Sequence, residues 1–276
     1  MIAFKRILSL ISILVCFNHI LFSQIKIKSP LNRAVYQRNV FGYSTITIAG
    51  SYEKQVDKIE AKFTPVEAGQ GEATDWTTIK NLPLNGNFSV SVQVRQGWYK
   101  LELRGSLNGQ IIGDIASVDR VGIGEVFIIA GQSNAEGVLG PQALGASNDR
   151  VNCYATNNDR TFGGTDYVNL SPFSKLDKDT RIAPRGVSAW CWGRLGDFIV
   201  NRLNVPVMFF NVAFEGTTVN AWATTANGGL ATNPYIGGVY QNRMPYQNMA
   251  DVLKYYVPLL GVRAVLWCQG EADNGY

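Results

Sequence analysis

Histidine is almost missing from this chain: the 276 residues contain one, His19. No Cys-x-x-Cys or His-Glu-x-x-His spacing occurs, which excludes a zinc site built on thiolate and imidazole. Charge is sparse as well, at 17% of residues. The 25 Lys+Arg and 21 Asp+Glu are spread evenly, with 11 basic and 8 acidic residues in 24–118 and 12 and 13 in 119–276. No basic stripe offers a path for nucleic acid. Beyond residue 22 no apolar run is long enough to span a bilayer, so a polytopic membrane protein is excluded. A hydrophobic content of 46% equally excludes a disordered tail. What is present suffices for a real core in one large or two ordinary domains.

Residues 1–23 have the layout of a secretory signal peptide. Lys5-Arg6 gives the positive start, 7–16 the apolar stretch, and Ser23 a small residue at the cleavage point before Gln24. An uncleaved anchor is the alternative, but Asn18-His19 interrupts a stretch already short for a membrane span. Cys16 is a poor lipidation site because Val15 precedes it. The expectation is a secreted or periplasmic protein with no membrane attachment after cleavage. Export brings an oxidising environment, in which Cys153, Cys191 and Cys268 leave at least one thiol without a partner in the chain. Cys268 follows the apolar run 262–267 and is expected to be a small buried hydrophobe.

The remaining chain changes its period at about residue 120. From 24 to 118 apolar residues alternate, as in Phe88, Val90, Val92, Val94 and in Tyr99, Leu101, Leu103. Residues 45–49 and 58–63 are strand-like too, and Asn85-Gly86 and Asn108-Gly109 are hairpin signals. A small β-sandwich domain over 24–118 is expected, as a spacer or support with glycan binding as the alternative. In 119–276 the run 125–130 is a strand buried on both faces. Val187, Cys191, Leu195, Phe198, Ile199 and Leu203 mark an amphipathic helix. Strands at 205–212 and 262–268 enclose a second helix carrying Met249, Val252, Leu253, Tyr256 and Val257, which Pro258 is expected to end. Strand, helix, strand, helix, strand predicts an α/β fold with a doubly wound parallel sheet. The long polar segment 137–186 is expected to lie near the active site.

Ligands of such sheets bind beyond the carboxyl ends of the strands. Each strand there runs into a polar loop: Gly131-Gln132-Ser133-Asn134, Phe214-Glu215-Gly216-Thr217-Thr218 with Trp222 behind it, and Gln269-Gly270-Glu271-Ala272-Asp273-Asn274. Ser133 falls where a helix should begin, so that nearby amides favour developing negative charge. Its bland alternative is a helix N-cap. The motif is not the Gly-x-Ser-x-Gly elbow, since Ala135 replaces the last glycine, and Gly122-Ile123-Gly124 precedes its strand rather than following it. A nucleotide site is therefore not expected.

These residues resemble a family. Gly131-Gln132-Ser133-Asn134, Gly216 before Trp222, and Trp267-Cys268-Gln269-Gly270-Glu271 are similar to the sialate O-acetylesterase branch of the SGNH (GDSL-like) hydrolases, over about 121–276. The resemblance implies an SGNH-type sheet and a carbohydrate O-acetylesterase without a cofactor. Its substrate would be an O-acetylated sugar, sialic acid first and acetylated plant polysaccharide next. It implies Ser133 as nucleophile and the amides of Ser133 and Gly216 as oxyanion donors, with Gln269 as a third donor. Gln132, Asn134 and Glu271 are expected to support them. Trp222 is a candidate to stack on a sugar and Arg185 to meet a substrate carboxylate, against packing and structural roles for each. Glu271 and Asp273 as a glycosidase pair are disfavoured, because neighbouring positions do not easily flank one glycosidic bond. A serine needs a base, and the family's Asp-x-x-His block is missing before Tyr276. The expectation is a sequence cut short, its sheet incomplete at the C-terminal side and the fragment itself inactive. The alternative is a non-catalytic glycan-binding relative.

Overall fold

The computed structural model describes residues 25–141, 143–155 and 173–274. The expected signal peptide and part of the long polar segment lie outside them.

Alternation builds the first half. β1 (Ile25–Ser29), β3 (Tyr43–Tyr52) and β6 (Asn87–Arg95) form an antiparallel three-stranded sheet, with Ile46 opposite Val92 and Ile48 opposite Val90. β4 (Lys58–Pro65), β5 (Thr77–Asn81) and β7 (Gly97–Leu107) belong to the larger sheet. Ile46, Ile48, Phe88 and Val94 of the small sheet share one apolar cluster with Ile59, Phe63, Leu101 and Leu103 of the large one. That is how half-polar strands bury one face each. Asn108-Gly109, both at positive φ, closes the hairpin from β7 into β8 (Gln110–Gly131). Asn85-Gly86 has the same backbone but joins β5 to β6, which lie in different sheets. The expected hairpin there is instead a crossover, its Gly86 carbonyl accepting from Tyr52 N at 2.9 Å.

β8 runs unbroken for 22 residues, and the expected boundary at 118/119 falls inside it. Its early part pairs antiparallel with β7. Its later part pairs parallel with β2 (Val35–Gln37), β11 (Val207–Asn211) and β12 (Ala264–Cys268). At the changeover a Cβ on Gly124 would lie 1.9 Å from the Pro206 carbonyl, so only glycine fits this approach. β9 (Val151–Tyr154) lies parallel beyond β11, and β10 (Phe173–Lys175) closes that side antiparallel. β11 is buried along its whole length. Met208 and Phe210 face one cluster, with Met249 and Val252 of α4 (Tyr246–Tyr255) and Leu260 of α5 (Val257–Leu260). Val207 and Phe209 face the other, with α2 (Trp192–Leu203). Helices on both faces give the expected α/β doubly wound arrangement.

Three details differ from the sequence reading. The helix expected from Val187 begins at Trp192, and its buried positions are Trp192, Gly193, Gly196, Asp197 and Val200, while Phe198 is 67% exposed. Glycine carries no apolar signal, yet Gly196 lets the helix sit so close to β9 that a Cβ would meet Val151 at 2.4 Å. Pro258 does not end helical structure but stands in the first turn of α5, where its missing N–H costs nothing. β12 is largely exposed, so Cys268 is exposed rather than buried.

Two acids tie the halves together. Glu125, buried on β8, meets Arg38 at 2.7 Å and Arg263 at 2.6 Å, and accepts from Gln37. Asp149 receives Arg33 and, at 2.9 Å, Arg120.

Candidate active site

The three polar loops meet at one rim. After β8, Gln132 is the N-cap of α1 (Ser133–Glu136), a single turn. The Gln132 amide donates to Cys268 O at 3.1 Å, and its Oε1 accepts from Ala272 N at 3.0 Å, so loops one and three are joined. Phe214 N donates to Gly131 O at 3.0 Å, joining loops one and two. Gln269 Nε2 donates to Thr217 O at 3.0 Å and also to Asp273. Asp273 in turn accepts the Val219 amide at the start of α3 (Val219–Ala226). Asn134 donates to Glu271. Strand order alone explains the convergence, because β8, β11 and β12 are parallel neighbours whose carboxyl ends face the same way.

Ser133 is exposed at the first position of α1, and no side chain caps that turn. The N-cap role falls to Gln132, leaving the Ser133 hydroxyl outside the capping scheme. The turn itself is fixed from behind. Ala135 O accepts from Asn211 Nδ2 at 2.9 Å and from Trp192 Nε1 at 3.0 Å. Glu136 is buried, accepts the Glu215 amide at 2.8 Å and faces Arg185 Nε at 3.1 Å. A cavity of about 340 Å³ opens onto Ser133, lined by Gly137, Val138, Leu139, Arg181, Val187 and Glu215 as well as Glu136. A one-turn helix has little macrodipole, so the help available to a developing anion comes from individual amides.

Among the described residues, neither the Ser133 nor the Gly216 amide donates to another protein group. Gly216 has φ +68°, and a Cβ there would lie 2.7 Å from Asn233 Nδ2. Glycine is therefore imposed by the turn and by the packing of Asn233, whatever approaches from solvent. Its carbonyl accepts from Tyr240 OH at 2.7 Å. Burial, reinforced by Glu215 and then Tyr235, pushes the Tyr240 phenol up to about 12, so it stays a donor.

Several expected contacts take other places. Gln269 is at the rim, but its side-chain nitrogen is surrounded by the acceptors of Thr217, Asp273 and Gln132, which makes it a clasp rather than an available third donor. Trp222 is buried, donates to Thr217 Oγ1 at 3.0 Å and packs edge-on against Trp267; it is a packing residue, not a sugar platform. Arg185 is buried against Glu136 with its guanidinium 3.9 Å over the Phe214 ring, and is structural. Asp273 is occupied with the Val219 amide, away from any pairing with Glu271 across a glycosidic bond. Among the described residues, burial raises the pKa of all three thiols, Cys191 included. Burial pushes Cys153 up to about 12, and burial with Glu271 raises Cys268.

Sequence reasoning overlooked Glu136, Asn211 and Arg181. Asn211 did leave a signal: it is a lone amide at the end of an otherwise apolar strand, and it is fully buried. A buried amide needs partners, and its partner is the turn that carries Ser133.

A family model described as carbohydrate esterase, sialic acid-specific acetylesterase, matches residues 123–275, more than half of the chain. The chain belongs to this family. The match starts inside β8 and takes in all three rim loops of the esterase-like half. Among solved structures, a carbohydrate acetylesterase from Xanthomonas citri is similar at 18% identity, with a TM-score of 0.45, over 88% of this chain and 50% of that one. A protein from Arabidopsis thaliana is similar at 16% identity, with a TM-score of 0.35, over 54% and 58%. The chain thus spans about half the length of these structures. A search of the curated proteins found no match.

Proposed function

We propose that this member of the carbohydrate esterase family removes O-acetyl groups from sugars, with Ser133 as the nucleophile. O-acetylated sialic acid is the first substrate and acetylated plant polysaccharide the second. The observation that carries the reading is an exposed, uncapped serine at the mouth of a cavity, with its own amide and that of Gly216 donating to no protein group among the described residues. The Ser133 oxygen attacks the acetyl carbonyl, and the charge that develops on the carbonyl oxygen is met by the Ser133 and Gly216 amides. Loss of one such donor costs about 3–4 kcal/mol of barrier. Collapse of the tetrahedral species expels the sugar hydroxyl and leaves an acetyl-serine, which water hydrolyses to acetate.

Ser133 also needs a proton acceptor. The sequence's one histidine, His19, lies outside the described residues, and Glu271 and Asp273 are both bonded to neighbours. The 276-residue chain is therefore expected to turn over about 10²–10⁴-fold more slowly than a serine esterase with a positioned base. The test is acetate release from an O-acetylated sialoside, with and without added imidazole, by the wild type and by Ser133→Ala. Imidazole should accelerate the wild type alone; equal rates for the two proteins would sink the assignment of Ser133. The second reading is a glycan-binding protein that keeps the cavity without turnover. Sugar binding with no acetate release under either condition would select it. Export directed by residues 1–23 belongs to the same proposal, and an exported chain beginning at Gln24 is its signature.

A further inference from the structure

The cation that the sequence offers to a substrate carboxylate, Arg185, is taken out of play by burial against Glu136 and Phe214. Four residues earlier, Arg181 is only partly buried and lines the same cavity as Ser133. Its backbone is well placed to hold it there. Ile182 and Ala183 are fully buried, Ala183 N donates to Tyr154 O at 2.7 Å, and Pro184 bridges to Asn211.

The remaining wall sorts by chemistry. Val138, Leu139 and Val187 are aliphatic, Glu215 is an acceptor at the surface, and Glu136 is already matched by Arg185. Among the described lining residues Arg181 is the one cation. A sialic acid presents a carboxylate, a row of hydroxyls and acetyl methyl groups. These suit a guanidinium, a carboxylate acceptor and an aliphatic wall in turn. An acetylated neutral sugar presents no anion for Arg181 to meet.

We propose that Arg181 is the carboxylate anchor of the Ser133 cavity and sets its preference for O-acetylated sialic acid over acetylated neutral sugars. The inference rests on the esterase reading of that cavity, but its test does not depend on turnover. Binding of N-acetylneuraminic acid and of its C1 methyl ester to the protein is compared by NMR titration. The ester removes the charge and leaves the rest of the sugar. The acid should bind about tenfold to a hundredfold more tightly than the ester, the range expected for a charge-assisted hydrogen bond. Arg181→Gln should abolish the difference, and Arg181→Lys should restore part of it. Equal affinity for acid and ester in the wild type, or binding of neither, overturns the proposal without any variant having to fold. A failed Ser133 assay with a persistent acid preference would leave Arg181 standing while the esterase chemistry falls.

Discussion

Gln132 supplies no chemistry of its own, yet its side-chain oxygen is shared by the amide of Ala272 and, at 3.4 Å, by Gln269. It is buried, so the Ala272 amide has no water to turn to if that oxygen is removed. Gln132→Met keeps the volume and deletes the acceptor. It should lower stability by about 1–3 kcal/mol in denaturant titration, the cost of one stranded buried donor. Hydrogen exchange at Ala272 should accelerate with it. Burial likewise decides between candidates that look equivalent in sequence. Trp222 and Arg185 have the right chemistry for a sugar and a carboxylate, but both spend it inside the protein. A residue type and a spacing say what a side chain can do; which neighbours reach it first is settled by packing.

At the level of elements, strands were legible where one face alone is buried, because alternation records that directly. β6 and β7 follow the expected residues closely, and β11 was legible as a solid apolar run. α2 was legible as a helix and in part of its facing, since Leu195 and Ile199 of the expected stripe pack against the core. Its close approach to β9 is made at Gly196, which carries no hydrophobic signal, while Phe198 and Leu203 are exposed. A paired measurement tests this. Gly196→Ala should destabilise by about 1–3 kcal/mol through overpacking against Val151 and Phe209. Phe198→Ala should change stability by less than about 0.5 kcal/mol. Were Phe198 part of the buried face, the order would be reversed. The Asn85-Gly86 turn was legible as backbone but not as connection, since two residues at positive φ do not reveal which sheet the next strand joins. The rim followed from the parallel order of β8, β11 and β12. The clasps that join its loops did not, because Gln269 to Thr217 and Ala272 to Gln132 are side-chain contacts more than 50 residues apart in sequence.

For the molecule as a whole, Glu125 makes stability depend on acid. Burial alone would raise its pKa, but hydrogen bonds from Arg263 and Gln37 and the charge of Arg38 outweigh burial and lower it. A carboxylate whose folded pKa is lowered contributes stability that is fully present above its unfolded value, about 4.3. That contribution is lost as pH falls through the lower folded value. Asp149, held by Arg120 and Arg33 against the opposing effect of burial, acts in the same direction. Thermal denaturation should therefore show a midpoint that drops below about pH 4. Glu125→Gln should cost about 1–3 kcal/mol at pH 7, and the gap to wild type should narrow at pH 3.

β8 gives the two halves a common spine instead of a tether. In a tethered protein each module keeps its own melting point, and evolution or a protein engineer can exchange one for another by cutting the slack between them. Here any such cut would sever a ribbon that is hydrogen-bonded on its way through both halves, so neither half can be exchanged without breaking a strand that the other also uses.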